Sequence, residues 1–238
     1  GLKFVLYNET ETGMEMFEYY YENGIVDYVK ETVGDDGFTT VETWEMEREG
    51  RDRADKEDYR MKMQVAFCFS NKVNMLEYYH NSSYLEHGGS PDKAVRNAFV
   101  YAIDRYLKQN DKYNKNDSKI TFADVADCLA LVINSFSTQT SYENQTKKAI
   151  NNKFIQDAMT EFLRQQLEVY FIENKTDAEK IANQVLVNKK SRENAEKARI
   201  DIKKKLTGTM DITNRVEKFV DCRSKDVSQR EVYIVEGD

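Results

Sequence analysis

The chain has 238 residues, of which 40% are hydrophobic and 32% charged, with a formal net charge of −7. That length can bury one large core or two small ones, and the acid excess argues against a protein that simply coats nucleic acid. No apolar run approaches the roughly 20 residues that cross a membrane, and Cys68, Cys128 and Cys222 share no CxxC spacing, so they read as reduced cytosolic thiols rather than a disulfide frame or zinc site.

The N-terminal stretch Gly1–Tyr7 reads as a strand, not a signal peptide. With no initiator Met, the sequence is expected to be a piece of a longer chain. Residues 3–8 and 14–21 run apolar and aromatic around Glu9–Gly13, which predicts a hairpin. Asn23-Gly24 leads into a short helix to about Val33, closed by Gly34. Thr40–Glu47, Arg60–Ser70 and Val73–Tyr79 are expected strands, with Met61, Met63, Val65, Phe67 and Phe69 on one face of the middle one. The charged segment Arg48–Asp58 is expected to be a mobile loop.

Ser90 is the expected N-cap of a helix, with Pro91 at its first position and Ala94, Ala98, Tyr101, Ala102 and Tyr106 as its apolar stripe. Asn110–Ser118 is a polar loop. Thr121 with Asp124 forms a capping box for one short turn. Leu129–Phe136 is almost continuously apolar, the pattern of a strand buried on both faces. From Ile150 the period becomes helical: Ile150, Phe154, Ile155, Ala158, Met159, Phe162 and Leu163 share a face. Thr176 and Glu179 read as a second capping box, for a helix reaching about Leu206.

Charge is unevenly spread. Residues 1–60 carry 7 basic and 17 acidic side chains, whereas residues 187–205 carry 8 basic and 3 acidic ones. Lys189, Lys190, Arg192, Lys203, Lys204 and Lys205 could therefore lie beside DNA phosphates. A solvated helix with internal pairs such as Glu193–Lys197 explains them equally well.

Four motifs carry a resemblance. Gln145-Thr146-Lys147 follows the buried strand and a polar loop. Tyr233-Ile234-Val235-Glu236-Gly237-Asp238 stands at the C-terminus, with Phe219-Val220-Asp221-Cys222 upstream. Glu86-His87-Gly88-Gly89-Ser90 opens a helix, with two glycines for backbone freedom. Phe122–Leu129 leads into Ala130–Ile133, where Cys128 reads as packing rather than a nucleophile. In this order the motifs resemble the B subunit of bacterial type II DNA topoisomerases, the gyrase and topoisomerase IV class. Ser90 stands where that family has threonine, and Ala126-Asp127-Cys128 departs from its pattern, as in a divergent branch.

The resemblance implies an α+β fold: a mixed or antiparallel sheet with helices on one face, similar to ribosomal protein S5 domain 2. It places a transducer at residues 1–174, a helical extension at 175–227, and the start of a Toprim domain at 228–238, where 231–235 is its first strand. It implies that Gln145 and Lys147 contact ATP held by a preceding GHKL-type ATPase domain. Glu236 would be a ligand of Mg2+. The implied function is coupling of ATP hydrolysis to DNA strand passage in a cytoplasmic A2B2 assembly with the A subunit, a second B subunit and double-stranded DNA. This piece alone is expected to be inactive and to bind neither ATP nor Mg2+. The alternatives are the transducer of a mismatch-repair ATPase, against which Glu236-Gly237-Asp238 speaks, and a stand-alone nucleic-acid-binding module, against which the acidic N-terminal third speaks.

Overall fold

The computed structural model describes residues 2–115, 117–208, 224 and 226–232. The chain divides into two compact units, Gly1–Ser191 and Arg192–Asp238.

The first unit opens with the predicted hairpin, β1 (Lys3–Thr10) and β2 (Gly13–Tyr20), paired from Lys3↔Tyr20 to Thr10↔Gly13. Phe4, Leu6, Tyr7, Met14, Met16, Phe17, Tyr19 and Tyr20 are all exposed on it. Helix α1 (Ile25–Val33) follows and ends at Gly34, whose φ of 54° suits a residue without a Cβ.

The central sheet has the order β3-β4-β8-β5-β6. Its strands are β3 (Glu42–Gly50), β4 (Tyr59–Phe69), β5 (Met75–His80), β6 (Ser83–Tyr84) and β8 (Leu129–Ser137). All neighbours are antiparallel except β5 and β8, so the sheet is mixed. A further parallel pair joins β7 (Gly88–Gly89) to β9 (Ala149–Ile150).

Period two places Met61, Met63, Val65, Phe67 and Phe69 on one face of β4, each at most 2% exposed. They meet α2 (Ser90–Gln109), α4 (Lys153–Glu173) and the start of α5 (Lys175–Gly208) in one core. Burying a side chain of the size of Phe67 contributes about 2–3 kcal/mol. The alternate residues, Ala66 and Cys68 of β4 with Ala130 and Val132 of β8, pack under Val29 and Val33 of α1. Helices therefore cover both faces, not one: β4 and β8 are apolar on their second face too, and α1 shields it.

Local chemistry corrects several other expectations. β3 runs on through Gly50, and the segment beyond it is tied down rather than loose. Arg51 pairs with Asp58 at 2.8 Å, and Asp52 accepts from the Tyr59 hydroxyl at 2.9 Å and the Phe154 amide at 2.8 Å. Ser90 does not cap α2: its hydroxyl donates to the Ile150 and Asn152 carbonyls at 3.2 and 2.9 Å, and Gly89 holds the N-cap position. The buried face of α2 also uses Val95, Phe99, Ile103 and Leu107, whereas Tyr101 is exposed beneath the Arg164 guanidinium, 4.4 Å from its ring centroid. Ile150 belongs to β9, not α4, because Tyr142 and Gly89 both pair with it. At α5, the Ala178 amide already bonds Asn174 O at 2.9 Å, so Thr176 lies inside the first turn instead of capping it. The capping box of α3 (Phe122–Ala126) forms between Thr121 and Asp124 as predicted.

Ala178, Ile181, Ala182 and Val185 of α5 lie in the core. The first compact unit accordingly extends past residue 174, to Ser191. In the second unit the helical residues carry the surface pair Arg199–Glu196 at 3.7 Å, and the turn Val227–Gln229 is capped by Asp226, which accepts from Ser228 N at 3.0 Å. The Phe219–Cys222 segment and the strand expected over residues 231–235 fall wholly or largely outside the described residues. Among the described residues no helix is long and apolar enough to cross a membrane.

Candidate functional site

Gln145, Thr146 and Lys147 sit on the loop between β8 and β9, and all three are exposed. The loop closes on itself through Asn144, whose side-chain oxygen accepts from Thr146 N at 3.1 Å and from the Thr146 hydroxyl, while its carbonyl accepts from Lys147 N at 3.3 Å. That closure holds Lys147 at φ 56°, in the left-handed region that non-glycine residues seldom occupy. The Lys147 ammonium lies over the Tyr142 ring, 5.6 Å from its centroid. A cation on an exposed aromatic face is held by only about 0.5–1 kcal/mol. Lys147 is thus exposed and weakly held.

Both ends of the loop are fastened. After Lys147, Lys148 pairs with Glu86, which keeps that carboxyl below the usual carboxylate range, and its carbonyl accepts from His87 N at 2.9 Å. Asn152 Oδ1 accepts from Ser141 N at 2.7 Å, while its amide donates to Asp52 at 2.9 Å and to the Tyr59 hydroxyl at 3.0 Å. Burial and the Asp52 hydrogen bond push the Tyr59 phenol above its ordinary range. At the other end, His80 and Asn81 hold Ser137 and Thr140. Sequence reasoning missed this outer set, Asp52, His80, Asn81 and Asn152. A polar residue ending the apolar strand β5, followed by Asn-Ser, was the available signal for His80 and Asn81.

Gly88 and Gly89 have φ 64° and 81°. A Cβ on Gly89 would meet Ile150 O at 2.1 Å, so the glycine pair is required for the close β7–β9 approach at the loop's base. Cys128 is buried, and burial pushes its thiol up to about 12, consistent with packing.

Burial differs from residue to residue along the basic segment. Lys189 is 4% exposed with its ammonium 5.4 Å from the Tyr113 ring centroid, so it is an inward residue. Its stem packs where α5 still contributes to the core. Arg192 is half-buried, whereas Lys190, Lys203 and Lys204 are exposed. The Lys205 side chain and Glu236 lie outside the described residues. Among the described residues no group of three or more His, Cys, Asp or Glu side chains is arranged to hold a metal ion.

A family model described as DNA gyrase B matches residues 24–200. The DNA gyrase B subunit of Mycoplasma pneumoniae is 27% identical over 245 residues, covering 100% of this chain and 37% of that protein. The DNA gyrase B subunit of Campylobacter jejuni is 29% identical over 184 residues, covering 77% of this chain and 24% of that protein. The chain therefore spans between about a quarter and little more than a third of these relatives. The 43K ATPase domain of Thermus thermophilus gyrase B, in complex with an aminocoumarin, superposes with a TM-score of 0.62 at 18% identity, covering 83% of this chain and 51% of that one. The topoisomerase IV ATP-binding domain of Francisella tularensis gives 0.56 at 19% identity, over 79% and 48%. At these identities the structures establish the fold alone. The family match runs from α1 through the sheet and into α5, and the chain belongs to the DNA gyrase B family.

Proposed function

We propose that this chain is the transducer of an ATP-driven type II DNA topoisomerase B subunit. It would relay the nucleotide state of an adjoining GHKL-type ATPase domain to a DNA gate. The observation that carries this reading is Lys147, exposed and weakly held on a loop fastened at both ends.

The physical logic is a differential contact. The γ-phosphate of ATP concentrates negative charge that leaves its position on hydrolysis. A long cation from a second body binds one nucleotide state better than the other. A ligand shifts a conformational equilibrium only by its difference in affinity for the two states, and Lys147 with Gln145 supplies that difference. The fastened loop then passes the displacement to β8 and, through Asn152, to the start of α4. On this reading the sheet corresponds to the ribosomal protein S5 domain 2-like body, and residues 228–238 begin a Toprim domain in which Glu236 would help hold Mg2+. The assembly would be cytoplasmic and would pair this chain's full-length parent with a second copy, the A subunit and double-stranded DNA.

The test uses the full-length protein with its A subunit and DNA. Lys147→Asn removes the charge yet tolerates the left-handed backbone, so loss of function cannot be blamed on strain. ATP hydrolysis and strand passage should fall together. Parental ATP-coupled strand passage in that variant rejects the reading.

A further inference from the structure

The buried imidazole of His80 stands at the root of the Lys147 loop. His80 ends β5 and is 0% exposed. Its Nδ1 lies 2.8 Å from Ser135 Oγ, and its Nε2 lies 3.0 Å from both Ser137 Oγ and Thr140 Oγ1. Ser135 Oγ donates to Tyr79 O at 3.0 Å, so its one proton is committed. Nδ1 must therefore carry the imidazole proton and donate to Ser135, leaving Nε2 as an acceptor for the Thr140 hydroxyl, since the Ser137 hydroxyl donates to Gln139 O.

Asn81 closes the same junction from the next residue. Its Nδ2 donates to Ser137 O at 3.1 Å and to Thr140 Oγ1 at 3.0 Å, and its Oδ1 accepts from Ser137 N at 3.0 Å. Ser137 Oγ in turn donates to Gln139 O at 2.6 Å. A φ of 46° at Asn81 turns its amide back onto the neighbouring strand. Ser137 ends β8, and Gln139 and Thr140 open the segment that leads to Gln145 and Lys147.

We infer that His80, seconded by Asn81, is a positioning residue that sets the direction in which the Lys147 loop leaves the sheet. The inference rests on the role proposed for Lys147. His80 touches neither nucleotide nor Lys147. It acts by fixing Ser137 and Thr140, so that the ammonium reaches the same place at each turnover. A buried group that both donates and accepts suits this task, because an apolar replacement takes the acceptor from the Thr140 hydroxyl and the donor from Ser135 Oγ.

The experiment compares ATP turnover by full-length proteins carrying Lys147→Asn, His80→Leu, His80→Gln, Thr140→Val, and the pair His80→Leu with Thr140→Val. Thermal unfolding confirms that each is folded. Lys147→Asn should be inactive. His80→Leu should lower kcat about tenfold and leave KM for ATP within about twofold, since a misplaced group costs chemistry more than initial binding. His80→Gln, whose amide donates and accepts, should recover most of the loss. Thr140→Val should act in the same direction and add little in the His80→Leu background. Should His80→Leu fail to fold, Thr140→Val and His80→Gln carry the comparison by the same kcat-against-KM criterion. Parental kcat in His80→Leu or Thr140→Val beside an inactive Lys147→Asn overturns the positioning role and leaves the Lys147 reading standing. A loss that His80→Gln does not recover, or an equal rise in KM, also overturns it. Full activity of Lys147→Asn removes the Lys147 reading itself.

Discussion

Gly89 stands so close to Ile150 that a methyl group on it would lie 2.1 Å from the Ile150 carbonyl oxygen. The two are far apart in sequence, and their parallel pairing forms the floor under the Lys147 loop. The obstacle is backbone, which cannot swing away as a flexible side chain does, and the φ of 81° adds strain for any residue with a Cβ. Gly89→Ala should therefore destabilise the fold by about 3 kcal/mol or more. Chemical denaturation measures this, and a change below about 1 kcal/mol would show that β7 and β9 separate freely.

Asp52 ties three segments together. Its carboxylate accepts from Tyr59, from Asn152 and from the Phe154 amide in the first turn of α4. Asp52→Ala leaves the buried Tyr59 phenol and an orphan helix amide without their acceptor, at a cost of about 1–3 kcal/mol. The matching Tyr59→Phe variant removes one of those bonds and should cost about 1 kcal/mol. In a double-mutant cycle the two should be less than additive, because once Asp52 is gone Tyr59 has only its bond from Asn152 left to lose. Strict additivity would dissolve the proposed junction into independent surface contacts.

Those two junctions mark the boundary of what was legible in the sequence. The face of β4 could be read because its pattern, Met61 to Phe69 at period two, is local. The Thr121–Asp124 capping box could be read for the same reason. Gln145 and Lys147 could be singled out by the resemblance of Gln145-Thr146-Lys147, placed after a buried strand and a polar loop, to a family motif. Partners distant in sequence could not be read. Ser90 has the chemistry of an N-cap, but its hydroxyl finds the Ile150 and Asn152 carbonyls instead. Ile150 fits the helical period of α4, yet pairing with Gly89 and Tyr142 draws it into β9. Asp52 sits in a run of charges that reads as loop, and only tertiary contact shows it to be a fastening point. Lys189 lies in a basic run, and its burial follows from how far α5 continues to pack on the core.

His80 predicts a pH dependence of stability. Burial holds its imidazole at about 4 in the folded chain, against an ordinary value of 6.5. The unfolded chain therefore binds a proton that the folded chain refuses, throughout that interval. The stabilisation is complete above pH 6.5 and is lost progressively as the pH falls towards 4, by up to about 3 kcal/mol. Carboxylates titrate near the lower end, so the comparison must be differential. The parent should lose more stability than His80→Gln between pH 7 and pH 5, as read from urea midpoints at the two pH values. Equal losses would mean that the imidazole is not held neutral.

The basic residues of α5 make the last prediction, because burial separates residues that composition groups together. Lys189 is 4% exposed and faces Tyr113, whereas Lys203 and Lys204 are exposed. Each lysine that neutralises a DNA phosphate releases condensed counterion, so losing it changes the slope of log affinity against log salt by about 0.9. If the exposed pair reaches DNA in the full-length enzyme, Lys203→Gln with Lys204→Gln should flatten that slope by nearly 2. Lys189→Met should leave the slope unchanged, while altering folding stability through lost cation–ring contact of about 0.5–2 kcal/mol. Measuring DNA affinity across a salt series for both variants decides the matter. A slope that responds to Lys189 and ignores Lys203 and Lys204 would reverse the assignment, since an inward ammonium would then have to be drawn out of the core before it could meet a phosphate.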